Sequence, residues 1–181
     1  MKHLVEPIKK KEDVSRIEKY LNTKNERDRL IYVFGINTGL RVSDILNLNV
    51  SDVKDKTYVE IREKKTKKYK RFPLNNKIRE LLNEYLVDKD TNEPLFVGKN
   101  NKRLHRSIVY RFLNNACKEI NLSINVGTHT MRKTFGYHHY KKFNDIALLQ
   151  KILNHSSPSI TLRYIGITQE EIDYSYNNFE L

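Results

Sequence analysis

Apolar positions along the first half of the chain fall at helical intervals and then, briefly, at strand intervals. Residues 11–22 place Val14, Ile17 and Leu21 on one helical stripe, which predicts an amphipathic helix. From Asn25 to Gly39 the chain is apolar on almost every side, with Leu30, Ile31, Val33, Phe34 and Ile36. A helix with so little polar face belongs at the centre of a core. Gly39 suits a helix end, and the short stripe Leu40, Ile45, Leu48 predicts a tight helix-turn-helix passage after it. Residues 57–62 and the ends of 69–74 alternate and carry β-branched or aromatic side chains, so the polar run Glu63 to Lys68 reads as a hairpin tip.

The second half returns to helical spacing. Asn75 to Val87 is periodic through Ile78, Leu81, Leu82, Tyr85 and Leu86, and a loop-rich connection follows, with a short strand expected at Leu95 to Val97. Helical patterns then cover 105–120, 129–142, 145–154 and 157–163, ahead of an acidic, frayed-looking tail over 168–181. No internal repeat or low-complexity linker interrupts them. The pattern predicts a mainly α fold with one small antiparallel β-hairpin, an α+β class, in a single domain over 1–181 with residues 1–10 as a lead-in. The 6 glycines and 4 prolines among 181 residues agree with helix over a turn-rich β architecture.

Charge narrows the partner. Lys plus Arg outnumber Asp plus Glu by 34 to 22, a formal net charge of +12, which favours a polyanion, nucleic acid first. No apolar run approaches the ~18 residues of a spanning helix, so no membrane is expected. The one cysteine, Cys117, falls in a helical pattern and reads as a buried thiol. The first residues show neither a secretory nor an organellar address, which predicts a cytoplasmic, nucleoid-associated protein. No clustered carboxylates or Cys/His spacing point to a metal, and no Walker A loop points to ATP, so no cofactor is expected.

The polar residues that need explaining lie far apart: Arg41 beyond the apolar helix, the lysines of the hairpin, and a set comprising His129, Arg132, His155 and Tyr164. Their types are complementary for phosphoryl chemistry. Guanidiniums match the non-bridging oxygens of a five-coordinate phosphorus and stay ionised at any working pH. Imidazoles move a proton near neutrality, a lysine can protonate a departing alkoxide, and a tyrosine hydroxyl can attack phosphorus. His129 and Arg132 stand at i and i+3, on one helical face, with Phe135 and Gly136 allowing close packing behind them. A bare H-x-x-R is more often a helix-start histidine and a solvated arginine, and Tyr164 is one of 11 tyrosines, so residue type alone does not select it over Tyr137, Tyr140 or Tyr174.

The order of these residues does select. NTGLRVSDILNLNVSDV (37–53), THTMRKTFG (128–136), LNHSS (153–157) and TLRY (161–164) together resemble the catalytic domain of the tyrosine recombinases, the phage integrase family, over roughly residues 30–165. The resemblance places Arg41, His129, Arg132 and His155 in the catalytic set, Tyr164 as nucleophile and Asp44 as the supporting acid. Phe72-Pro73-Leu74 resembles the end of the family's second hairpin strand, which puts Lys65 on the catalytic lysine, while Lys67 and Lys68 stay open because one residue of turn length shifts the register. Lys64, Lys67, Lys68, Lys70 and Lys133 are expected to face DNA phosphates. Asn154 stands where the family usually has glycine, at a position suited to left-handed backbone that asparagine tolerates best.

What the resemblance implies is a DNA recombinase or integrase that cleaves and rejoins double-stranded DNA through a 3′-phosphotyrosine, without metal or ATP. Two other readings use part of the same residues: a type IB topoisomerase-like enzyme that relaxes one duplex, and a non-catalytic basic DNA-binding factor. The first box begins at Asn37, so the separate helical core-binding domain usual in the family is expected to be absent. The tail resembles the family's C-terminal segment, with Ile167, Ile172 and Phe179 as anchors for self-assembly on DNA. Accessory DNA-bending proteins are further expected partners.

Overall fold

The computed structural model describes residues 4–167 and 169–180. Among them run α1 (Lys11–Lys24), α2 (Glu26–Thr38), α3 (Val42–Ile45), the hairpin β1 (Tyr58–Arg62) and β2 (Tyr69–Pro73), α4 (Asn76–Tyr85), α5 (Arg106–Glu119), α6 (Thr130–Phe143), α7 (Ile146–Leu153), α8 (Pro158–Ile165) and α9 (Gln169–Asn177). The α+β class expected from the pattern is the one observed.

Helix α2 is the axis of the molecule. Leu30, Ile31, Tyr32, Val33, Phe34, Gly35 and Thr38 are all buried, because α1, α4, α5 and α6 pack around it. Asn25 caps its start, accepting from the Asp28 amide, and Gly39 ends it at φ 61, a left-handed conformation that costs glycine least. A Cβ at Gly39 would also lie 2.4 Å from Phe135 Cδ1, so the same glycine lets the turn before Arg41 touch α6. Cys117 is buried, and desolvation pushes its thiol up to about 11.

The strands pair antiparallel, from Tyr58 opposite Pro73 to Arg62 opposite Tyr69. In β2 the side chains alternate, with Lys70 and Phe72 buried and Tyr69 and Arg71 exposed, the period of two that a pleated strand imposes. The short strand expected at Leu95 to Val97 does not form. Leu95 and Phe96 are buried, and two isolated bridges, Asn49 to Pro94 and Val97 to Arg103, with single backbone bonds to the Leu48 carbonyl and from the Leu104 amide, stand in place of a ladder.

Helices α7 and α8 fold back on α6 around a second, smaller apolar cluster of Leu149, Leu153 and Ile165, against which Phe135, Tyr137, Tyr140, Tyr164 and Ile167 pack. Asp145 caps α7 at the Leu148 amide, and Ser157 with Pro158 starts α8, both strong helix-start signals. The tail is helical as α9 rather than frayed. Of its expected anchors, Ile167 packs within its own chain, Phe179 is exposed, and the Ile172 side chain lies outside the described residues. No helix among the described residues is long and apolar enough to cross a membrane.

Candidate active site

The site is assembled where the turn after α2, the hairpin tip, the start of α6 and the α7–α8 pair meet. Arg132, in the first turn of α6, is only 2% exposed. Its Nη1 donates to the Gly39 carbonyl at 2.6 Å and its Nη2 to the Leu153 carbonyl at 2.5 Å. The guanidinium therefore ties the ends of α2 and α7 to α6, and each Nη keeps a second proton to donate. A solvated surface arginine is excluded by this burial.

Arg41 precedes α3 in extended backbone. Its nearest anion is Glu63, whose Oε2 stands 2.8 Å from Nη1 as an ion pair without hydrogen-bond alignment; Asp44 is farther, at 3.9 Å. Asp44 is buried, and its Oδ1 accepts from the Lys64 amide at 2.9 Å. The expected supporting acid thus holds the hairpin tip more firmly than it holds Arg41. Glu63 is the partner that sequence reasoning passed over as part of a polar tip. Burial pushes its carboxyl up, yet the Thr66 hydroxyl, Arg41 and the Asn154 amide together hold it below the ordinary carboxylate range. A single acid placed before the lysine run at a strand end was the available signal.

His129 precedes α6 and Tyr164 lies in the last turn of α8, yet His129 Nδ1 and the Tyr164 hydroxyl are 3.1 Å apart. Partial burial, Arg132, Arg41, Lys133 and Lys65 all lower the His129 pKa. His155 follows α7; its Nδ1 pairs with Thr161 Oγ1 at 3.1 Å, and its ring centroid is 4.8 Å from that of Tyr164. Burial, then Arg132 and Arg41, lower its pKa to about 4. Both imidazoles are neutral near pH 7. Burial raises the Tyr164 phenol, and the charges of Arg132 and Arg41 oppose that rise. The two arginines act on both histidines and on the tyrosine, so residues scattered from 41 to 164 share one electrostatic centre.

The lysines divide. Lys64, Lys65, Lys67 and Lys68 are exposed on the hairpin tip, and Lys65 is one whose charge is felt at His129. Lys70 and Lys133 differ from expectation, since both are buried. Lys70 falls on the inward face of β2, donates from Nζ to the Ile152 carbonyl at 3.0 Å, and is lowered to about 8 by burial and then by Arg132. Lys133 Nζ sits 4.8 Å from the Tyr164 ring centroid, a cation–π contact with the ring face. An apolar cavity of about 1040 Å³ lies beside Tyr164, between the lead-in segment, His129, Lys133 and Ile167. A polar cleft between Val53 and α4 contains none of the candidate residues. Among the described residues no three His, Cys, Asp or Glu gather as a metal site.

Comparison with known proteins assigns the family and the fold. The model of the phage integrase family matches residues 9–171. The chain belongs to the phage integrase family. A Bacillus subtilis (strain 168) relative named "Probable integrase/recombinase YoeC" is 44% identical over 178 residues, covering 98% of each protein. The chain spans about half the length of other curated tyrosine recombinases it matches. Among solved structures, XerA recombinase superposes with a TM-score of 0.79 at 22% identity, over 100% of this chain and 66% of that one. XerH recombinase bound to its palindromic difH substrate superposes at 0.75 and 22% identity, over 97% and 52%. The fold of this integrase-family chain is that of the tyrosine recombinase catalytic domain.

Proposed function

We propose that this chain breaks and rejoins double-stranded DNA with Tyr164 as the nucleophile, forming a 3′-phosphotyrosine without metal or ATP. The observation that carries the reading is the 3.1 Å contact of the Tyr164 hydroxyl with His129 Nδ1, beside two guanidiniums. His129 Nδ1 is placed to accept the phenolic proton as the oxygen attacks phosphorus. The P–O bond to the 5′ oxygen breaks as the new bond forms, and Lys65 at the hairpin tip supplies the proton to that oxygen. Arg41 and the uncommitted protons of Arg132 face the charge that develops on the non-bridging oxygens. A bound phosphate adds negative charge beside His155, raising it toward a protonated state in which it donates, while His129 stays the base. Religation reverses the same steps, so the phosphotyrosine conserves the bond energy.

Site-specific recombination or integration is the main reading, ahead of topoisomerase-like relaxation or non-catalytic binding, and membership of the integrase family supports it. Duplex DNA is the partner, gripped by the exposed Lys64, Lys67 and Lys68. Self-assembly on DNA, help from DNA-bending proteins and a nucleoid location belong to the same proposal. XerH was solved on its DNA, and lambda integrase was solved as a dimer on a core site.

The test is an adduct assay. Wild type and Tyr164→Phe are incubated with supercoiled plasmid and nicked duplexes in EDTA, and SDS-resistant, protease-sensitive protein–DNA species are resolved. Wild type forms them and Tyr164→Phe does not. An adduct that persists in Tyr164→Phe, or one that needs added divalent metal, overturns the proposal.

A further inference from the structure

Asn154 closes α7 at φ 53 and ψ 40, a left-handed conformation that glycine adopts more cheaply. Its side chain makes a contact glycine lacks: Nδ2 donates to Glu63 Oε2 at 3.1 Å. Glu63 is fully buried, and the same oxygen accepts from Thr66 Oγ1 at 2.5 Å and faces Arg41 Nη1 at 2.8 Å. Glu63 Oε1 has no partner, and the Arg41 contact is not aligned as a hydrogen bond. The orientation of this carboxylate is therefore set by Thr66 and Asn154. Thr66 belongs to the hairpin tip, whose neighbours Lys65 and Lys67 are exposed, whereas Asn154 is fixed at a helix end that Arg132 and Lys70 hold by the Leu153 and Ile152 carbonyls.

We propose that Asn154 is a positioning residue for strand transfer: its amide, acting through Glu63 Oε2, ties the His155 segment to the Arg41 guanidinium and sets the spacing of these two groups around the phosphate. The link deepens the function proposed above and rests on it for its consequence in rate, though not for its geometry. Without the amide, Glu63 keeps one hydrogen bond from a tip residue and can rotate, and Arg41 follows its counter-ion. Displacement of about 1 Å in a catalytic group costs up to roughly a hundred-fold in rate. Glycine at position 154 preserves the helix end and removes only the amide, which makes Asn154→Gly the clean substitution.

Two readouts test the link. In the free protein, the Glu63 carboxyl is titrated by ¹³C NMR in wild type and Asn154→Gly. With Arg41, Thr66, Asp44 and Lys70 unchanged, loss of the amide raises its midpoint. On supercoiled plasmid, single-turnover adduct formation slows roughly ten-fold in Asn154→Gly, with DNA affinity and thermal midpoint held. In a Glu63→Leu background, which offers the amide no acceptor, the same change has no further effect, because the link is already broken. An unchanged Glu63 midpoint, an unchanged rate, or additive effects of the two substitutions overturns the proposal. If wild type forms no adduct while the Glu63 midpoint still moves, the strand-transfer reading fails and the Asn154–Glu63 link stands.

Discussion

Arg132 and Glu63 mark the two limits of what a residue discloses by itself. Arg132 is legible through its place in the ordered motifs, since H-x-x-R alone fits a solvated arginine as well, and the structure buries it between two helix ends. Glu63 is not, because its partners Arg41 and Asn154 are 22 and 91 positions away, and no local pattern encodes a contact of that range. The burial of Lys70 was legible in principle from strand alternation with Phe72, but the density of neighbouring lysines hid it. His155 carries a prediction at this scale. Its pKa in the folded protein is about 4 against an ordinary 6.5, so between those values the unfolded chain binds more protons than the folded one. Stability is full above about pH 6.5 and falls as pH drops toward 4, and Glu63, also lowered, adds a loss of the same sign at lower pH. Urea unfolding of wild type and His155→Gln at pH 7, 5.5 and 4.5 checks this: the variant loses less stability across the range, and equal losses would remove His155 from the account.

At the scale of elements, the pattern located α1, α2, the hairpin and α4 through α8 to within a few residues, since each carries its own local periodicity or apolar run. It failed where an element depends on a neighbour: the Leu95 to Val97 segment lacks a strand to pair with, and α9 forms although its composition reads as a tail. The placement of Tyr164 is such a dependent feature. Helix α8 reaches α6 because Gly136 has no side chain; a Cβ there would lie 2.7 Å from Ile165 Cγ2. Gly136→Ala is therefore expected to push α8 outward despite alanine's better helix propensity, costing about 1–3 kcal/mol. Denaturant unfolding reads the stability, and the adduct assay reads a loss in rate larger than that stability change alone requires. A variant more stable than wild type with full adduct formation would show that the α6–α8 contact has room to spare.

For the whole molecule, a net charge of +12 is a statement about partner and association rather than about fold. Part of it stands on the hairpin tip, where Lys64, Lys67 and Lys68 are exposed and the Lys64 amide is held by Asp44. Binding to DNA is expected to weaken steeply with salt. Replacing Lys64 and Lys68 by glutamine should reduce the slope of log affinity against log salt by up to about 2, as fluorescence anisotropy on a labelled duplex would show; an unchanged slope would place the DNA elsewhere. The α+β class was readable from the hydrophobic pattern and the family from four ordered motifs, while the route by which the fold joins them, through Glu63 and the α7 end, was not. The central claim is that Tyr164 becomes bonded to DNA. The direct measurement is to digest the wild-type adduct with protease and nuclease and map the nucleotide-bearing peptide by mass spectrometry. The account predicts the added mass on Tyr164; its appearance on Tyr137, Tyr140 or Tyr174, or on no tyrosine, would contradict it.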